Sequence, residues 1–318
     1  MKHPAFDCVI FDIDNVLVDT RTSYLSAIRW TIEIFLTGSQ VPFFHKKSKT
    51  SQPSILSRED VDQFKLLGGF NDDWDCCYGL LVYLLTLPVK GHTVEDLKKS
   101  MNIKQFVKTT AERPLRVNGI VKKLGRPSAV KIEKIARIFQ EIYLGREFFE
   151  LTERKKATYW KKRGLLLKEK PIFRKSTLER FKNAGIKLGI ATGRPRFEAL
   201  SALKRFQFDE VFDAVTTINE VKIAEAKMKK SLRKPHPYSV IETAKKLKAE
   251  KLKCLYVGDL PDDIMAAEKA KEALNIESVG FPWYGATPKE TILEMKKAGM
   301  DHLIKRPSEL VTLATGRS

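Results

Sequence analysis

Cysteine is scarce in this sequence: four occur in 318 residues, and no two stand in a C-x-x-C pair. Cys8 and Cys254 lie inside strand-like apolar runs and Cys76 directly precedes Cys77, so neither a disulfide framework nor a zinc site is expected. Long apolar runs are also missing. The longest, GLLVYLLTLPV at 79–89, is too short to span a bilayer, and the early VIF is followed at once by charge rather than by the apolar stretch of a signal peptide. The reading is of a soluble, cytoplasmic protein with no membrane partner and an oligomeric state left open. Internal repeats and low-complexity tracts are absent too.

Negative charge is in deficit, with 39 Asp and Glu against 58 Lys and Arg, a formal net charge of +19. Residues 21–167 hold 27 basic and 15 acidic residues, and so most of the excess. Segments such as KKLKAEKLK (245–253) and KKATYWKKRG (155–164) have the look of solvated helix faces. A positive segment beside an active site would also attract an anionic substrate. Nucleic acid is the less favoured partner, since it calls for a contiguous basic surface with aromatics for stacking. Tyr159 and Trp160 among lysines are the one hint of that kind.

What is present in quantity is α/β pattern. At 43% hydrophobic content the chain can bury a full core and a second domain. β-rich runs at 186–192, 212–218, 252–258, 275–281 and 301–304 alternate with segments of helical period at 175–185, 195–206, 236–249 and 262–274. Strand alternating with helix predicts a Rossmann-like, doubly wound parallel sheet. The strand at 8–13 joins that sheet only if the helical stretch after it is an insertion. There, 20–36 carries a 3.6-residue apolar period, Ser57 with Asp60 reads as a capping box, and 128–145 is an amphipathic helix ended by Gly145. The polar stretch 45–55 reads as a loop. The expected domains are a sheet core from 1–20 and 168–318, and an inserted α-helical module from 21–167.

Four groups of chemically able residues fall at strand ends or in the loops beside them, where open α/β sheets bind ligands. They are Asp12 and Asp14 in VIFDIDNVLVDT, Thr192 in IATGRP, Lys234 in RKPHP, and Asp259 with Asp263 in YVGDLPDDI. Each has an ordinary alternative: Asp259 as a helix cap, Lys234 as one surface lysine beside Lys222 and Lys227, Arg194 as a surface charge. Side chains at 12 and 14 of an extended segment point the same way.

Taken in order, these groups resemble the haloacid dehalogenase-like superfamily of phosphotransferases, over about 1–20 and 168–318. The insertion after the first strand matches the subfamily with a helical cap. LGGFNDDWD (67–75), YLG (143–145) and ATGRPRFEA (191–199) look like a branch near the phosphoglycolate phosphatases. The resemblance implies that Asp12 is a nucleophile forming an aspartyl phosphate and that Asp14 protonates the leaving oxygen, then deprotonates water. It implies Mg²⁺ held by Asp12, the Asp14 backbone carbonyl, Asp259 and Asp263. Thr192 and Gly193 would hold phosphoryl oxygens, Lys234 would neutralise charge, and Arg194 and Asn71 would touch substrate. For Asn71 the alternative is an N-cap. The family usually has Gly where this chain has Asn15, and Asn is among the few other residues that readily adopt positive φ.

The resemblance therefore implies a Mg²⁺-dependent phosphatase acting on a small phosphorylated metabolite. A phosphosugar mutase on the same scaffold, or a protein binding or processing nucleic-acid ends through the basic insertion, are the alternatives. Haloacid dehalogenation is disfavoured because it has no use for an acid at position 14.

Overall fold

The computed structural model describes residues 3–38, 43–45, 52–70, 72–112, 114–282 and 289–316. The chain forms two compact units, one from Met1–Asp19 with Lys170–Ser318 and the other from Thr20–Glu169. In the first lie β1 (Cys8–Phe11), β2 (Val18–Asp19), β3 (Lys170–Pro171), β4 (Lys187–Ala191), β5 (Ala214–Thr216), β6 (Cys254–Gly258), β7 (Ile276–Gly280) and β8 (His302–Leu303). Six of these make a parallel sheet in the order β5-β4-β1-β6-β7-β8, while β2 and β3 pair antiparallel as a small ribbon. β1 is central, with Cys8 opposite Lys187 on one side and Cys254 on the other.

The central strands β1, β4 and β6 are near-continuous apolar runs, as suits a sheet covered on both faces. Alternate side chains divide between two cores: Val9, Phe11, Leu188, Ile190, Leu255 and Val257 in one, Cys8, Ile10, Cys254, Tyr256 and Ile276 in the other. This is the expected doubly wound α/β architecture, with every strand of the sheet read from sequence present. The β2–β3 ribbon was not expected; two-residue strands carry no periodic signal.

The unit Thr20–Glu169 is helical: α1 (Tyr24–Thr37), α2 (Arg58–Lys65), α3 (Asp73–Leu85), α4 (Val94–Ser100), α5 (Ile103–Thr109), α6 (Arg116–Leu124) and α7 (Ile132–Glu153). The apolar run 79–89 lies in α3 up to Leu85; every residue from Cys76 to Leu84 is buried, and α1, α6 and α7 pack around the helix. A helix apolar all round is thus a core helix. The Ser57–Asp60 capping box forms as expected, the Ser57 hydroxyl accepting from Asp60 N and the Asp60 carboxylate from Ser57 N. α3 is capped by Asp72, whose carboxylate accepts from the amides of Trp74 and Asp75. Asn71 lies outside the described residues, as do 46–51 of the polar stretch 45–55.

α7 differs from expectation. Gly145 does break it, with φ 75 and ψ 169, but a second helical stretch follows at once. The reason is a backbone crossing: a Cβ on Gly145 would stand 2.1 Å from Gly164 N, and Arg146 N donates to Lys162 O. Trp160, half of the aromatic hint for nucleic acid, is buried and packs edge-on against Trp30. All four cysteines are buried free thiols.

In the sheet unit follow α8 (Lys175–Asn183), α9 (Arg196–Arg205), α10 (Ile218–Met228), α11 (Tyr238–Lys246), α12 (Pro261–Ala270), α13 (Lys289–Lys297) and α14 (Pro307–Thr315). α8, α9 and α14 bury Leu178, Phe181, Ala199, Leu203, Leu310 and Val311 in the core beside Phe11. α11 and α12 bury Val240, Ala244, Ala266 and Ala267 in the core beside Ile10. The loops leaving β1, β4 and β6 therefore share one edge of the sheet. Among the described residues no helix is long and apolar enough to cross a membrane.

Candidate active site

Asp12 leaves β1 still tied to the sheet, its amide donating to Val257 O at 2.9 Å. The chain then turns tightly, with Leu17 N and Val18 N both donating to Ile13 O and Asn15 N donating to Val18 O. Asn15 takes φ 53 to make this turn. On the other side of β1, β6 ends at Gly258, and a Cβ there would lie 2.1 Å from Asp263 Cβ. Glycine is thus what lets Asp263, in the first turn of α12, come back over the strand end.

The result is a cluster. Asp12, Asp259 and Asp263 each offer a carboxylate oxygen, all within 4.8 Å of one another. Lys234 Nζ lies 2.8 Å from Asp263 Oδ1 and 3.1 Å from Asp12 Oδ1. The second contact is an ion pair without hydrogen-bond geometry, so Asp12 Oδ1 is a buried oxygen with no hydrogen-bond partner. Tyr256, fully buried on β6, donates its hydroxyl to Asp263 Oδ1 at 2.9 Å, and its ring lies under Lys234.

Beside this cluster, Arg194 is 2% exposed and points back at Asp14. Its Nε and Nη2 lie 2.8 and 2.6 Å from Asp14 Oδ1. Thr192 is buried, its hydroxyl accepting from Arg194 N at 3.2 Å, while Gly193 between them is exposed. The structure thus brings together Asp12, Asp14, Thr192, Gly193, Arg194, Lys234, Asp259 and Asp263. Tyr256 escaped the sequence reading, and Asn15, singled out there for its backbone alone, also uses its side chain, donating from Nδ2 to Asp259 Oδ2 at 3.2 Å. The available signal for Tyr256 was strand alternation, which puts it on the same side of β6 as Gly258.

The electrostatics follow from crowding. Burial raises the Asp12 carboxyl to about 7, Lys234 opposing and Asp263 and Asp14 adding to the rise. Burial, with Asp263 and Asp12, likewise holds Asp259 well above the ordinary carboxylate range, against the Asn15 hydrogen bond. Burial works against the charged form of Lys234, but Asp12 and Asp263 outweigh it and push the ammonium well above its usual value. Four carboxylates against Lys234 and Arg194 leave a formal charge of −2. Oxygen-only donors, that charge and the orphaned Asp12 Oδ1 fit a hard divalent cation.

Comparison with known proteins bears on the family and the fold. A family model described as haloacid dehalogenase-like hydrolase matches residues 6–271. A protein of Caldanaerobacter subterraneus subsp. tengcongensis, provisionally named pyrophosphatase PpaX, is 26% identical over 217 residues, 67% of this chain and 87% of its own length. Among solved structures, a provisional phosphoglycolate phosphatase of Lactobacillus delbrueckii subsp. bulgaricus superposes with TM-score 0.55 at 16% identity, covering 98% of this chain and 99% of that one. A hydrolase of Deinococcus radiodurans R1, solved with bound phosphate and sodium, does so with TM-score 0.50 at 14% identity, covering 98% of both chains. At such identities these two structures speak for the fold.

Proposed function

This chain belongs to the haloacid dehalogenase-like hydrolase family, and from that premise we propose that it is a Mg²⁺-dependent phosphomonoester hydrolase acting on a small phosphorylated metabolite. The observation that carries the reading is the convergence of Asp12, Asp259, Asp263 and Lys234 around Asp12 Oδ1, a buried carboxylate oxygen that has the Lys234 ion pair but no hydrogen bond. A buried acceptor left open is costly unless a ligand completes it.

Asp12 attacks phosphorus through a carboxylate oxygen, and the bond from phosphorus to the ester oxygen breaks. Asp14 gives that oxygen a proton as it leaves. Water then attacks the aspartyl phosphate, giving its proton to Asp14; the bond to Asp12 breaks and inorganic phosphate departs. Lys234 offsets the charge of Asp12 and of the phosphoryl group, and the Thr192 hydroxyl and Gly193 amide hold phosphoryl oxygens. Mg²⁺, held by Asp12, the Asp14 carbonyl, Asp259 and Asp263, would keep Asp12 ionised and draw charge from the phosphoryl oxygens. The unit Thr20–Glu169 is read as the cap module that selects substrate, with Asn71 as one of its contacts.

The test is phosphate release over a panel of small phosphoesters and inorganic pyrophosphate, the latter because of the name its Caldanaerobacter relative bears. Asp12→Asn serves as the blank. Equal release by both proteins on every substrate removes the hydrolase reading. A rearranged sugar phosphate in place of free phosphate would make the protein a mutase.

A further inference from the structure

Asn15 stands where the family usually carries glycine, and the structure gives that departure a use. Its backbone is left-handed at φ 53, the conformation that glycine takes freely and asparagine is among the few others to accept. The turn is pinned on both sides, by Asn15 N donating to Val18 O at 2.8 Å and by the bonds from Leu17 and Val18 to Ile13 O. From that fixed base the side-chain amide reaches Asp259 Oδ2 at 3.2 Å. This is the direction that a cation-bound, ionised Asp259 requires, since an ionised carboxylate can only accept.

Resting on the cation reading above, we propose that Asn15 is a positioning residue whose amide sharpens the choice of Mg²⁺ over Ca²⁺ by the carboxylate cluster of this chain. A carboxylate held through one oxygen has the other to offer. That suits Mg²⁺, which demands near-ideal octahedral geometry and is served by one oxygen from each carboxylate, with waters in the remaining positions. It suits Ca²⁺ less, because Ca²⁺ gathers more oxygens and often takes both from one carboxylate. Hydrogen-bonded partners behind a ligating group also fix its orientation, and this partner comes from the same turn that carries Asp12 and Asp14.

Asn15→Gly keeps the left-handed backbone and deletes only the amide. Mg²⁺ and Ca²⁺ are each competed against Mn²⁺ on the metal-free protein, with free Mn²⁺ read by electron paramagnetic resonance, so no turnover is needed. The expected result is a Mg²⁺ affinity about tenfold lower in the variant, with Ca²⁺ affinity changed by less than about twofold. An unchanged preference overturns the proposal, and so does an equal loss for both ions, which would mark Asn15 as merely structural. Asn15→Ala, which also lacks the amide but strains the turn, must show the same change of preference whatever happens to its melting temperature. If the wild-type protein binds neither ion, the cation reading fails and takes this proposal with it. If it prefers Mg²⁺ and Asn15→Gly prefers it equally, the role of Asn15 alone fails.

Discussion

Both units bury carboxylates, and two kinds of treatment can be set side by side. In the helical unit, Glu141 is fully buried and accepts from the backbone amides of Thr158, Tyr159 and Trp160, the Thr158 hydroxyl and Arg137. Glu33 accepts from the amides of Ser54 and Ile55, and Glu169 from the hydroxyls of Ser23 and Tyr143. These acids hold loops, accepting from donors that the fold itself supplies. In the sheet unit, Asp12 keeps an oxygen without a hydrogen-bond partner, and its carboxyl shares a crevice with three others. A buried acid kept for structure is satisfied from within; one kept for a ligand is left wanting.

The strongest way to break that contrast is Asp12→Asn. Phosphate release should fall at least about a thousandfold, ~4 kcal/mol of barrier, while urea denaturation of the metal-free protein at pH 8 shows no loss of stability. Glu141→Ala should do the reverse to stability, costing about 4 kcal/mol in the same urea titration, because three amides and a guanidinium lose a buried partner together. If Glu141→Ala is as benign to folding as Asp12→Asn, the distinction between the two kinds of acid is wrong.

A pH series sharpens the same point. Asp12 sits at about 7 against an ordinary 3.8, so the folded protein holds that proton longer than the unfolded chain. Its favourable contribution is fully present below about pH 4 and is lost as pH rises through about 7, a fall of a few kcal/mol without a cation. Asp12→Asn should flatten this slope, and Mg²⁺ at about a hundred times its Kd should add ~2.7 kcal/mol at pH 8. The smallest effect concerns Glu220, an acid of the sheet unit. Burial alone would raise it, but the hydroxyl and amide of Thr217 outweigh burial and hold it down at about 2. That contribution is present above pH 4.5 and lost as pH falls through about 2, so Glu220→Gln should cost about 1 kcal/mol at neutral pH after solvent screening, and nothing in strong acid. Thermal melts across pH would show it. The outcome would place the contrast in the donors rather than in the unit.

Much of this was readable from the residues. The sheet strands announced themselves as apolar runs closed by charge or glycine, and the positions of Asp12, Thr192 and Asp259 followed from those ends. What escaped were partnerships between residues distant in sequence. Arg194 reads as a loop charge, and nothing near it in sequence tells that it is buried against Asp14, 180 positions earlier. Glu141 reads as the polar face of an amphipathic helix, since its donors come from a loop 17–19 residues on. Tyr256 was hidden by its own apolar body, only the hydroxyl betraying its use.

The place of β1 in the sheet has a bearing on how the protein is made. Both of its neighbours come later, the nearer one, at Lys187, almost 180 positions further along. A growing chain must carry an apolar strand with two open edges for roughly 10 to 40 s of synthesis at ordinary ribosome speeds. Such an edge invites wrong pairing, and a flanking charge is the usual deterrent. Asp12 and Asp14 stand directly after that strand. Long before there is a crevice for them to serve, they are the charges that flank the strand.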